Sequence, residues 1–227
     1  MHTPLTNFGN EIARIDKVAD WLATAPALVP DMAPATWAVR CGAVVLLSGY
    51  LESFIRDCMR AFIADVNALG HPLTKLPEGM KHTHFDVGAR VLRWQLKLDK
   101  RAGNTARCED LSTRLASVSA PTGYTLVWEA FANTEANPGP EVIAEVLGSV
   151  GVKNGWEKLK AATPTGLVDL KTFMTSFILM RNECAHSGNI TSPPSASDLL
   201  DYGQNLAGLG TAMVSVLRER LTELAAL

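Results

Sequence analysis

The stretch FMTSFILMRNECAHSG, residues 173–188, decides how the rest of the chain is read. Leu170, Phe173, Met174 and Phe177 recur in steps of three and four, the period of an amphipathic helix with one apolar face. The apolar lead-in then gives way to Arg181, Asn182 and, five positions after the arginine, His186. Asn182 and His186 share one helix face, and Arg181 lies on the adjoining one. Ala185 and Gly188 flank the histidine, so small neighbours at a helix end leave the imidazole accessible.

Outward from this helix the same period dominates, and strand signals are nearly absent: no Asn-Gly or Asp-Gly turn joins two alternating β-branched runs. The expected fold class is therefore all-α, a helical bundle with long core helices. A first helix is expected over Asn7–Thr24, with Phe8, Ile12, Ile15, Ala19 and Leu22 inward and Pro26 and Pro30 closing it. A long helix follows over Pro34–Leu69, apolar nearly all round from Ala43 to Leu47 as a central helix needs. A third is expected over Phe85–Arg101 with a stripe of Val87, Val91, Trp94 and Leu98, then a break at Gly103-Asn104 and a shorter helix over Ala106–Ser117. Residues 119–165 are rich in Gly, Pro, Asn and Thr and read as a loop-rich insertion around short helices at Pro140–Leu147 and Val152–Ala161. The last helix starts near Ser195 or Ser197, candidate N-caps after Pro193-Pro194. Its seam of Leu199, Tyr202, Leu206, Leu209, Met213 and Val216 suits a bundle or a dimer contact. Gly203, Gly208 and Gly210 in that helix are either close-packing points or a kink.

A chain of 227 residues fits one domain, here with an insertion, and can bury a core without disulfides or metals. The net charge of -2 excludes binding of nucleic acid by global charge, so any such contact needs a local patch. Cys41, Cys58, Cys108 and Cys184 are widely spaced and form no CxxC, which gives no zinc reading and suits reduced thiols in the cytoplasm. The stretch MHTPLTNFGNEIARIDKV lacks a basic segment followed by an apolar core, so no signal peptide is expected. The most apolar run, Cys41–Tyr50, is about half a membrane span and reads as the centre of a buried helix. No cofactor motif is read. His2, His71, His82 and His84 look like loop or tail positions, and the His-Thr-His at 82–84 needs further ligands to hold a metal.

The Arg181–His186 spacing alone carries little weight. With twelve Arg and five His, about one such pair arises by chance, so the neighbours supply the specificity. Two other segments narrow the reading: GYLESFIRDCM, Gly49–Met59, and NPGPEVIAEVLGSVGV, Asn137–Val152. With RNECAHSG, they resemble the HEPN superfamily, and within it the RiboL-PSP-HEPN group. Gly49–Met59 is similar to that group's Leu-Glu-Ser/Thr-Phe helix. Asn137–Val152 is similar to its Asn-Pro segment, short helix and Gly turn.

The resemblance implies a metal-independent endoribonuclease, often a toxin or an anti-phage effector with a cognate antitoxin or defence partner. The residue chemistry agrees with it. RNA carries its own nucleophile, the 2′-OH. A histidine titrating near neutrality can take that proton or protonate the 5′-oxygen leaving group. Arginine can hold the phosphate through paired hydrogen bonds, and Asn182 can orient the histidine or a phosphate oxygen. The products would be a 2′,3′-cyclic phosphate and a 5′-OH. Relatives with this motif commonly act as homodimers, and the last-helix seam together with the motif helix is the expected contact.

Other readings compete with this one. An Arg and a His at a helix end also cap carbonyls and offset the macrodipole. A HEPN fold can serve as a non-catalytic module binding RNA, a nucleotide or a protein, and a helical interaction protein can carry the motif by accident. Glu52, in an apolar helix, needs a partner: Arg56 one turn on, or Arg181 or His186 across the bundle. Arg90, Arg93, Lys97 and Arg101 form a basic helix face, either plainly solvated or an RNA-guiding patch.

Overall fold

The computed structural model describes residues 1–24, 33–103, 105–117, 125–132, 134, 137–167, 169–186 and 192–227. The expected breaks at Pro26, Pro30 and Asn104, and Ser187 and Gly188 of the motif, lie outside the described residues. The described residues form eight helices and no strand: α1 (His2–Thr24), α2 (Ala33–Ala68), α3 (Glu78–Ala102), α4 (Ala106–Ser117), α5 (Pro140–Ser149), α6 (Gly155–Ala162), α7 (Leu170–His186) and α8 (Ala196–Ala225). The fold class is all-α, as the periodicity requires. His2, His82 and His84 lie on helices rather than in loops or tails.

Two compact units share the chain. The first comprises Met1–Ile55, Thr134–Ile143 and Trp156–Val216; the other comprises Arg56–Asn133, Ala144–Gly155 and Leu217–Leu227.

In the first unit, α1 buries Phe8, Ile12, Ile15, Ala19 and Leu22, the face its spacing dictates. Phe8 stacks on Phe54 of α2, with ring centroids 4.5 Å apart. The α7 face of Leu170, Phe173, Met174 and Phe177 is buried, and Phe173 and Phe177 pack on Tyr202 of α8. The start of α7 is fixed by Asp169, whose Oδ1 accepts the Thr172 backbone N–H at 2.9 Å. That bond holds the Asp169 carboxyl below its ordinary value. The start of α8 is a reciprocal cap: Ser195 Oγ accepts the Asp198 N–H at 3.1 Å, and Asp198 accepts the Ser195 N–H at 2.7 Å.

The α8 seam is consumed inside the chain. Leu199, Leu206, Leu209 and Met213 are fully buried, which removes them from any dimer contact. Its glycines are close-packing points. A β-carbon at Gly203 would lie 2.9 Å from Ile12, and one at Gly208 would lie 2.1 Å from Leu167. At Gly210 it would lie 3.1 Å from Phe8 and 3.3 Å from Phe54, against the stacked rings. Gly210→Val should therefore lower stability by about 1–3 kcal/mol, a few degrees in Tm. An unchanged Tm by differential scanning calorimetry would show that the ring pair yields freely.

In the other unit, the end of α2 buries Cys58, Met59, Phe62, Ile63 and Val66. Asn67 clamps the segment before the fifth helix, accepting the Leu126 N–H at 2.9 Å and donating to the Leu126 carbonyl at 3.2 Å. The helix α3 departs from its expected packing. It begins at Glu78, and its buried positions are Met80, His84, Gly88 and Asp99, while Trp94 is 58% exposed. The stripe of Val87, Val91, Trp94 and Leu98 is thus not the buried face. Two buried polar side chains take backbone donors: His84 Nδ1 accepts the Val127 N–H at 3.1 Å, and Asp99 accepts the Cys108 N–H at 2.8 Å, while His84 Nε2 is buried with no hydrogen-bond partner among the described residues. Burial holds the His84 imidazole below its ordinary value. Gly88 lets Leu115 of α4 come close, since a β-carbon there would sit 2.5 Å from its methyl.

Among the described residues one helix stretch, Ala35–Ala68 of α2, is long and apolar enough to cross a membrane, a longer run than Cys41–Tyr50 suggests. A core helix has the same composition, and Val44, Leu47, Leu51, Ile55, Cys58 and Met59 of this one are fully buried.

Candidate functional site

The amphipathic α7 delivers the motif at its last turn. Its apolar face is anchored by Phe173, Met174 and Phe177, so the rotation of the turn that follows is set. Arg181 and Asn182 emerge half-buried, and His186, the final helical residue, is exposed. Asn182 Oδ1 accepts two hydrogen bonds, from Arg181 Nη1 at 3.2 Å and from Asn137 Nδ2 at 2.8 Å. The guanidinium is thereby tied at one nitrogen. Its Nε is buried and has no hydrogen-bond partner among the described residues.

The Asn-Pro segment is held against the same unit from several sides. Gly139 lies in van der Waals reach of Ile178 on α7. The indole N–H of Trp156 donates to the Pro140 carbonyl at 3.0 Å. Thr134, three residues before Asn137, donates its hydroxyl to Glu52 Oε1 at 3.2 Å. Glu52 on α2 is thus linked to the segment that positions Asn182 and Arg181. Three separate stretches, around Glu52, Asn137 and Arg181, meet in one unit.

Sequence reading missed Thr134 and Asn137 as positioning residues. Asn137 opens the segment that resembles the family's Asn-Pro stretch, but a polar pair across 45 positions leaves no periodic trace. The reading also missed the neighbour of Cys184. Burial, and then the hydrogen-bonded contact with Cys41, push the Cys184 thiol up to about 12. At that value the sulfur stays protonated near neutrality, so a Cys184–His186 nucleophile pair has no thiolate to use.

Arg90, Arg93, Lys97 and Arg101 all lie exposed on α3, in the unit that begins at Arg56. Arg90 pairs with Asp86 at 3.1 Å. Among the described residues no group of three His, Cys, Asp or Glu converges as a metal site.

The family described as RiboL-PSP-HEPN matches residues 11–219, from the first helix to the last. The chain belongs to this family. Its all-α architecture is that of a HEPN-type protein, and HEPN-type domains act as ribonucleases or as nucleotide-binding modules. The match covers all three motif segments of this RiboL-PSP-HEPN chain, so Glu52, Asn137, Arg181 and His186 lie within it. No curated protein and no solved structure matches the chain.

Proposed function

We propose that this RiboL-PSP-HEPN protein is a metal-independent endoribonuclease that cleaves RNA through its own 2′-OH and serves as a toxin or anti-phage effector. The observation that carries the reading is the Asn137–Asn182–Arg181 relay with His186 exposed beside it. A half-buried guanidinium oriented through one nitrogen suits a phosphodiester oxygen. Arg181 binds the scissile phosphate and offsets charge in the transition state. His186 removes the 2′-OH proton or protonates the departing 5′-oxygen. Asn182 and Asn137 keep the guanidinium in place, and Glu52 braces them through Thr134.

One imidazole serves one proton transfer at a time, and another copy of the chain related by a two-fold axis supplies another. The exposed α7 face bearing Leu179, Glu183 and His186, one to two turns apart, is the contact we assign to it. With Leu199, Leu206, Leu209 and Met213 of α8 buried, the exposed Leu179 of α7 offers an apolar contact next to the motif. A cytoplasmic setting suits the four free thiols, including the adjacent pair Cys41 and Cys184.

The direct test is incubation of the purified chain with RNA in EDTA: cleavage should proceed unabated. Inhibition by EDTA would contradict the mechanism. RNA guidance by α3 has its own test. Replacing Arg90, Arg93 and Lys97 with Glu should weaken RNA affinity and reduce the steepness of log affinity against log salt by about 1.4, since Arg90 is already paired with Asp86 and each of the two other phosphate contacts to a single strand contributes roughly 0.7. An unchanged slope would assign these residues to plain solvation.

A further inference from the structure

The exposed side of α3 carries more than charge. At 100° per residue, Arg90, Arg93, Lys97, Lys100 and Arg101 form a ridge opposite the buried Met80, His84 and Gly88. Lys81 is neutralised by Glu78 and Arg90 by Asp86, but among the described residues Arg93, Lys97, Lys100 and Arg101 have no acidic partner. Arg93, Lys97 and Arg101 follow one another at four-residue spacing, where like charges oppose the helix. Lys100 and Arg101 are explained by the helix dipole in the last turn; Arg93 and Lys97 are not.

Aromatic rings border this ridge. Trp94 is 58% exposed on one edge and Phe85 48% on the other, and they are the two most exposed aromatic side chains among the described residues. A groove of about 590 Å³ runs beside the earlier turns of α3 and ends at Arg90, one turn before Trp94. Val87, Phe131 and Val146 line it, with His82, Thr83, Arg90 and the carboxylate of Glu145 among its polar walls. An apolar floor with a few polar groups at its rim is what a flat heterocycle occupies. Solvent-exposed rings beside unpaired cations match the arrangement that holds unpaired nucleotides, phosphates on the charges and bases on the rings. A duplex has its bases stacked away and cannot use the rings.

We infer that α3 is a stacking platform for single-stranded RNA, with phosphates along Arg93, Lys97 and Arg101 and bases against Trp94 and Phe85. This rests on the reading of the chain as an RNA-cleaving protein and specifies the form of RNA it takes. The strand crosses roughly 24 Å of helix between Phe85 and Arg101, enough for several nucleotides.

The test uses the full chain carrying His186→Ala, with a fluorescein-labelled oligouridylate and, separately, a fluorescein-labelled RNA duplex of the same length. Trp94→Leu with Phe85→Leu should weaken oligouridylate binding about tenfold or more, with duplex binding changed less than twofold. The salt dependence should stay as it was, because no charge is removed. Both substituted positions are exposed, and circular dichroism checks that the helix persists. Equal losses on both probes, no loss on the oligouridylate, or no binding of it by the parent chain would overturn the inference; the last two outcomes would leave the face to a protein partner or to solvent. Selective loss in a chain that never cleaves RNA would sustain the platform and remove the catalytic reading instead.

Discussion

His186→Ala should lower the rate of RNA cleavage by about two to four orders of magnitude, the contribution of a positioned acid or base. The residue is exposed at the end of α7 and makes no packing contact that the helix needs, so stability should change by no more than about 0.5 kcal/mol. Arg181→Ala should cost about two to three orders of magnitude through lost charge stabilisation. Arg181→Lys should recover little of it, because an ammonium cannot keep the Asn182 contact and grip a phosphate oxygen with another nitrogen in one plane. The two variants should differ in affinity: Arg181→Ala should bind RNA more weakly, while His186→Ala should bind as the parent does. Single-turnover rates and anisotropy titrations separate these effects. A His186→Ala chain that cleaves at the parent rate would leave the motif as a helix cap.

The other large effect concerns the composite site. If the active species is a dimer with both histidines at one cleft, inactive chains should poison active ones. Co-expressed at a nine-fold excess, His186→Ala protein leaves only about a tenth of the parent chains in parent dimers, so activity per parent chain should fall about tenfold. Light scattering should give twice 24.4 kDa at micromolar concentration. Leu179, 62% exposed seven residues before His186, lies on the face assigned to the contact, and Leu179→Glu should shift the mass to the monomer. A monomer that cleaves at full rate, indifferent to added mutant, would leave His186 acting alone.

The helices were legible because their core faces follow one period. Phe8, Ile12, Ile15, Ala19 and Leu22 needed nothing beyond spacing to be placed inward, and of the two candidate caps after Pro193-Pro194 it is Ser195 that accepts the Asp198 N–H. The face of α3 was not legible, because its packing rests on a glycine that admits Leu115 and on a histidine and an aspartate that accept backbone N–H groups from outside the helix. An apolar count ranks Trp94 inward and His84 outward, the reverse of what the unit adopts. At the candidate site Arg181, Asn182 and His186 were legible from their local context together with the resemblance carried by Gly49–Met59 and Asn137–Val152. The Thr134 contact of Glu52 was not, since Thr134 lies 82 residues away and no charge pattern points to it.

The chemistry of the cut ends tests the central claim most directly. RNA cleaved by the purified chain in EDTA should carry 2′,3′-cyclic phosphate and 5′-hydroxyl termini, read by phosphorus NMR and by end-labelling with polynucleotide kinase without prior phosphatase. Those ends arise only if the 2′-OH attacked its own phosphodiester, the step that His186 and Arg181 are assigned to assist. Termini with 5′-phosphate and 3′-hydroxyl, or cyclic ends produced equally by His186→Ala protein, would contradict the account.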